Sequence, residues 1–152
     1  MEILTYPHEG LRQVCSAVIA VTAELLGQFL EMRALMYERG GLGLAAPQVG
    51  IPLRMLVMNT TGDPEQKEHE YVFINPVIRN RIGGRTAIEE GCLSLPGDFG
   101  RVIRSKRVKF LAYCLDGTEV IATWSGLAAR VLQHEVDHLC GILFIDRLKE
   151  EE

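Results

Sequence analysis

The stretch QHEVDHLCG, residues 133–141, sets two histidines four residues apart with a glutamate directly after the first. This is HExxH, the helical zinc-hydrolase signature. On a 3.6-residue period His134 and His138 share one face, and Leu127 and Val131 extend that face upstream. Glu135 sits beside His134, angled to reach a metal-bound water without being a ligand itself. The competing reading is an exposed helix whose His and Glu are merely solvated; the strongly apolar surroundings weigh against it. One large group of zinc proteases continues HExxHxxGxxH, but here the frame reads His134, Glu135, His138, Gly141 and then Phe144. A third protein ligand must come from elsewhere.

Downstream, 14 residues remain after His138, ending in the acidic KEEE tail, which is expected to be solvated. The ligand is therefore expected upstream. His8, in the N-terminal arm, and His69, in a polar loop, both read as surface residues. The stretch EEGCLSLPG places Cys92 after a glycine, before a small polar turn and beside Glu89 and Glu90. A thiolate there would complete a His₂Cys set with a fourth position open, the pattern of a catalytic site; the competing reading is a buried structural cysteine. Cys15, Cys114 and Cys140 are read as small space-filling hydrophobes.

The rest of the chain frames this helix. The 152 residues suit one domain, 1–152, with a single sizeable core. A hydrophobic share of 47% with 24% charged residues describes an ordinary globular composition. The net charge of −4 argues against broad nucleic-acid binding, which needs a basic face. No apolar run approaches the roughly 20 residues of a membrane span. The N-terminus has no signal- or transit-peptide character, so a cytoplasmic location is expected.

The element pattern is α+β: antiparallel or mixed β-sheets around a central C-terminal HExxH helix, with a long N-terminal helix. A short helical piece is expected over Leu11–Ser16. A long helix follows, with Thr22 as N-cap, Leu25, Leu26, Phe29, Leu30 and Met36 at helical spacing, and Gly40-Gly41 as its stop. Strands are expected over Leu53–Asn59, Tyr71–Asn80 and Arg107–Leu115. Asp116-Gly117 turns into a further strand, TEVIATW, and Thr60–Glu70 is a polar loop. Ser125 caps the closing helix to about Leu139, and ILFID reads as a last strand.

Three segments in order, GLGLAAPQ (residues 41–48), EGCLS (90–94) and QHEVDHLCG (133–141), resemble the peptide deformylases, metalloenzymes that remove the formyl group from the initiator methionine of nascent chains. The opening ILTYPHEGLR is similar to the family's N-terminal segment. No insertion separates the first two motifs, as in the shorter bacterial type. Family members often carry a helical C-terminal extension after the last strand; these 152 residues end at Glu152, which leaves functions assigned to that extension, such as ribosome docking, open.

The resemblance implies Cys92, His134 and His138 as ligands of one divalent metal, Fe2+ foremost, with Zn2+, Ni2+ or Co2+ as alternatives. It implies Glu135 as general base, and the Gln48 side-chain amide and Leu93 backbone N–H as donors to the developing oxyanion. It makes formyl-methionyl peptides of nascent chains the substrates, with a transient ribosome contact, no reading of nucleic acid and no membrane. Leu42, Gly43, Ile88, Leu127 and Val131 are the candidate pocket. Gly41 and Gly43 would let the backbone lie close to an extended substrate. Glu90 and Arg104 are expected to pair and brace the cysteine turn. The alternative is a catalytically silent, deformylase-like binding module, whose mark would be a broken ligand or a missing glutamate.

Overall fold

A computed structural model describes residues 1–149; the expectation for the last three tail residues lies outside them. Helix α1 spans Ala23–Glu38, and the Thr22 hydroxyl accepts the Leu25 N–H at 3.1 Å. Leu25, Phe29, Met32 and Met36 recur at steps of three and four and are buried. Leu26 and Leu30 fall about 100° around the helix and remain exposed, contrary to the apolar-face reading. Gly40 follows at φ +69°, which ends the helix.

The described strands form one antiparallel meander: β1 (Gly43–Ala45), β2 (Met55–Asn59), β3 (Glu70–Cys92), β4 (Leu95–Tyr113) and β5 (Glu119–Ser125), neighbours in chain order. β3 runs well past Asn80, where the sequence reading stopped. Gly83 and Gly84, both at positive φ, sit in a register shift between Ile82 and Arg85. They make a bulge that bends the strand without ending it. Helix α2 (Gly126–Leu139) follows β5 directly, with Ser125 at the N-cap but no side-chain capping bond.

β2 is buried along its whole length because the sheet is covered on both sides. Met55 and Val57 pack with Leu25, Phe29, Met32 and Met36 of α1. Leu56 and Met58 point the other way, onto Ala129, Leu132, Val136 and Leu139 of α2. Gln133 fastens α2 laterally: its amide accepts from Ser105 N–H at 3.1 Å and donates to Ser105 C=O at 2.9 Å.

Three expectations are corrected at the chain's ends. The first helical piece is a 3-10 turn at Glu9–Arg12, not Leu11–Ser16. The segment ILFID is not a strand: Phe144–Arg147 is a 3-10 turn, because the Asp146 carboxylate accepts the Leu143 N–H at 3.0 Å and curls the chain. Strand-like pairing is limited to a single bridge from Leu148 to Val102. Cys140 is exposed and fills no core space.

Gly141 ends α2 at φ +73°, and a Cβ there would stand 2.5 Å from the Arg12 carbonyl oxygen. The obstacle is backbone, so it cannot swing aside. Gly141→Ala is expected to destabilise the protein by about 2–4 kcal/mol, from left-handed strain plus overpacking. Denaturant midpoints would show this; a loss below about 1 kcal/mol would mean the N-terminal arm yields freely.

Candidate active site

The β3–β4 hairpin turns at Leu93 and Ser94, which places Cys92 at its tip opposite α2. There the Cys92 Sγ stands 3.3 Å from His138 Nε2, and His138 Nε2 stands 3.3 Å from His134 Nε2. All three ligand atoms lie within 4.8 Å of one another. Two nitrogens held by one tetrahedral ion at ~2.0–2.1 Å are about 3.3–3.4 Å apart, and a nitrogen–sulfur pair about 3.5–3.6 Å. The donor set and its spacing therefore fit a metal ion. His8 and His69 are exposed and stand outside the cluster.

A ring of charge holds this cluster. The His134 Nδ1–H donates to Glu90 Oε1 at 2.9 Å, which turns Nε2 toward His138. Glu90 in turn accepts from Arg104 at 2.7 and 3.1 Å, so the expected pair is present and buried. The sequence reading missed a second arginine: Arg130 donates to Glu90 at 2.6 Å and to the Val102 and Thr86 carbonyls. It also missed Asp137, inside the HExxH motif, which accepts from Arg104 at 2.9 Å. A charged residue at a core-facing helix position was the available signal.

The protonation pattern fits a site prepared for a cation. Burial would raise the Glu90 carboxyl, but hydrogen bonds from His134 and Arg104 outweigh it and hold Glu90 down to about 2. Burial opposes charge on His134, yet Glu135, Cys92 and Glu90 together hold its proton up to about 10. Burial, then the charge on His134, pushes His138 well below its ordinary value. Without a metal, the proton on His134 is the positive charge that the surrounding negative groups demand; metal binding would release it.

Glu135 is buried beside the cluster, and burial pushes its carboxyl up to about 7 against the pull of His134 and Arg104. Its Oε1 makes no hydrogen bond among the described residues. Gly43 makes room for this carboxylate: a Cβ there would stand 2.6 Å from Oε2. A Cβ at Gly41 would meet the Leu93 side chain at 2.7 Å, so both glycines first serve packing inside the site. Gly43→Ala is expected to leave the fold intact, because only a side chain must move. It should lower turnover on the order of 10²-fold by displacing Glu135. Steady-state kinetics beside a thermal melt would check this; unchanged turnover would refute the cradle.

Gln48 is buried with its amide oriented by the network. Oε1 accepts the Ala45 N–H at 2.9 Å, so Nε2 faces Ser94 Oγ at 3.1 Å and Cys92 Sγ at 3.5 Å. A cleft of about 730 Å³ opens over these groups. Leu42, Gly43, Ile88, Leu127 and Val131 all line it, as do Gln48, Cys92, Leu93, His134 and Glu135. Phe99, exposed at the rim and stacked over Gly91, also lines the cleft and went unread in the sequence.

The family model for polypeptide deformylase matches residues 1–152. The chain belongs to the polypeptide deformylase family. A peptide deformylase from Rhodopirellula baltica is 46% identical over 151 residues, 99% of this chain and 74% of the relative. The crystallised peptide deformylase of Plasmodium falciparum superposes with a TM-score of 0.94 at 37% identity, over 98% of this chain and 87% of that one. An Acinetobacter baumannii peptide deformylase of class I type b, solved with Met-Ala-Ser bound, gives a TM-score of 0.90 at 34% identity, over 97% of this chain and 98% of that one. The family is metal-dependent, and the Cys92, His134 and His138 group is where this chain can hold such an ion.

Proposed function

We propose that Cys92, His134 and His138 hold the single divalent metal with which this chain, a metal-dependent hydrolase of the deformylase family, removes the formyl group from N-terminal methionine. The observation that carries the reading is the facing of the three ligand atoms, at 3.3 Å for both measured pairs, with Glu135 buried alongside. When bound, the metal supplies Lewis acidity that activates water and polarises a carbonyl at neutral pH. A thiolate beside two imidazoles accepts Fe2+, Zn2+, Ni2+ or Co2+ alike; the likeness to the family puts Fe2+ first.

The chain's own groups supply the remainder. Glu135 takes a proton at its carboxylate as water adds to the formyl carbon, then returns it to the departing amine. A carboxyl near pH 7 is matched to both halves of that task. Formate and a peptide with a free amino terminus are the products. The Gln48 amide, 3.5 Å from Cys92 Sγ, and the N–H of Leu93, the next residue, are the donors for the oxygen that becomes negative. Leu42, Ile88, Leu127 and Val131 give the methionine side chain an apolar wall, with Gly43 beside Glu135. β1 is an edge strand of the sheet, so an extended peptide can add to it by main-chain hydrogen bonds.

Residues 1–152 then act as one catalytic domain on nascent chains in the cytoplasm, in transient contact with the ribosome. The test is formate release from a formyl-Met-Ala-Ser peptide, beside acetyl-Met-Ala-Ser and an internal peptide bond, by anaerobically iron-loaded protein. Release from the formyl peptide alone is expected. Cleavage of the internal bond would indicate a peptidase, and no release at full metal content would indicate a binding module.

A further inference from the structure

Behind the metal cluster, the chain after α2 folds back onto the site. Leu143 to Leu148 return to β4: Leu148 bridges Val102, and the Lys149 N–H donates to the Arg101 carbonyl at 2.8 Å. Gly100 leaves the gap that Leu148 fills; a Cβ there would stand 2.5 Å from Leu148 Cδ2. Docked this way, the segment brings Phe144 to the His134 ring and Arg147 to Asp137. Phe144 lies nearly parallel to the His134 ring, with centroids 6.5 Å apart and planes 22° apart. Arg147 donates Nε and Nη2 to the two oxygens of Asp137, at 2.6 and 3.0 Å.

Asp137 passes the constraint inward. It also accepts from Arg104 at 2.9 Å, Arg104 forks onto Glu90, and Glu90 holds His134 Nδ1. Each link is a charge-assisted bond with little play, and forks fix orientation as well as distance. We propose that the segment Phe144–Leu148 is a positioning element for the metal site, with Arg147 acting through Asp137, Arg104 and Glu90 on His134 while Phe144 braces the same ring. The proposal rests on the reading of His134 as a metal ligand.

The fork sets a chemical requirement. Lysine offers a point charge and cannot engage both oxygens of Asp137 in one plane. Arg147→Lys should therefore recover only part of what Arg147→Met loses.

The experiment is a chelator competition for Zn2+ on the parent, Arg147→Met, Arg147→Lys, Phe144→Leu and Cys92→Ser proteins, each with a metal-free thermal melt. Zn2+ affinity is expected to fall about 3–10-fold in Arg147→Met and Phe144→Leu, less than the roughly 10–100-fold cost of losing a direct partner of a ligating histidine. Arg147→Lys should lie between Arg147→Met and the parent. If the melts shift but both affinities stay within about 2-fold of the parent, the segment is structural only and the proposal is overturned. If the parent binds no Zn2+, or Cys92→Ser binds it as tightly, the metal-ligand reading fails and takes this inference with it.

Discussion

Glu135→Gln is expected to lower the turnover number for formate release by about 10²–10⁴-fold while metal content stays at one ion per chain. The carboxylate is buried in the cleft wall, and Gly43 leaves it space to stand beside the cluster without entering it. Glutamine keeps the volume and loses the ability to accept and return a proton. The proposed ligand trio is untouched, so metal uptake should not change. Stability should hold or rise, because a buried carboxyl with an unpartnered oxygen costs free energy in the folded state. Turnover, metal analysis and a melt on one preparation separate these effects. Turnover within a few-fold of the parent at full metal content would remove Glu135 from the chemistry.

Glu90→Ala is expected to act on stability and on the metal together. Glu90 accepts from Arg104, Arg130 and His134, and both arginine side chains are under a tenth exposed. Removing the shared carboxylate leaves buried guanidinium charge with carbonyl acceptors and Asp137 only, a loss of about 3–5 kcal/mol. His134 also loses the partner that orients its Nε2, which should weaken metal binding at the proposed site about 10–100-fold. Denaturant unfolding of the metal-free protein measures the first effect, and chelator competition measures the second. A stability loss under about 1 kcal/mol would show that the arginines find other acceptors.

The sequence exposed the proposed ligands better than it exposed the groups around them. His134, Glu135 and His138 follow from helical spacing within five residues, and Cys92 emerged because the downstream chain offered no ligand. The Glu90–Arg104 pair was legible as two opposite charges near the cysteine turn. Arg130 and Asp137 carried only a weak signal, a charge amid apolar helix positions, and such a charge reads as solvated until the fold shows it buried. The strand boundaries of β3 and β4 were lost for a related reason. Gly83-Gly84 and Pro96-Gly97 look like breaks, whereas the first pair makes a bulge in a continuing strand and the second lies just inside β4. Leu26 and Leu30 show the opposite failure, since apolar residues on a helix carry no label for the side left open. ILFID has strand-like residues, but the bond from Leu143 N–H to Asp146 is a local alternative that a hydrophobic pattern does not display.

Reconstitution with one equivalent of Co2+ decides most directly whether Cys92, His134 and His138 form the metal site. Binding of one ion per chain is expected, with a thiolate-to-cobalt charge-transfer band in the near ultraviolet that disappears in Cys92→Ser, and with formate release that rises in proportion to occupancy. A bound ion with no thiolate band, or a band unchanged in Cys92→Ser, would remove Cys92 from the ligand set and contradict the three-residue site.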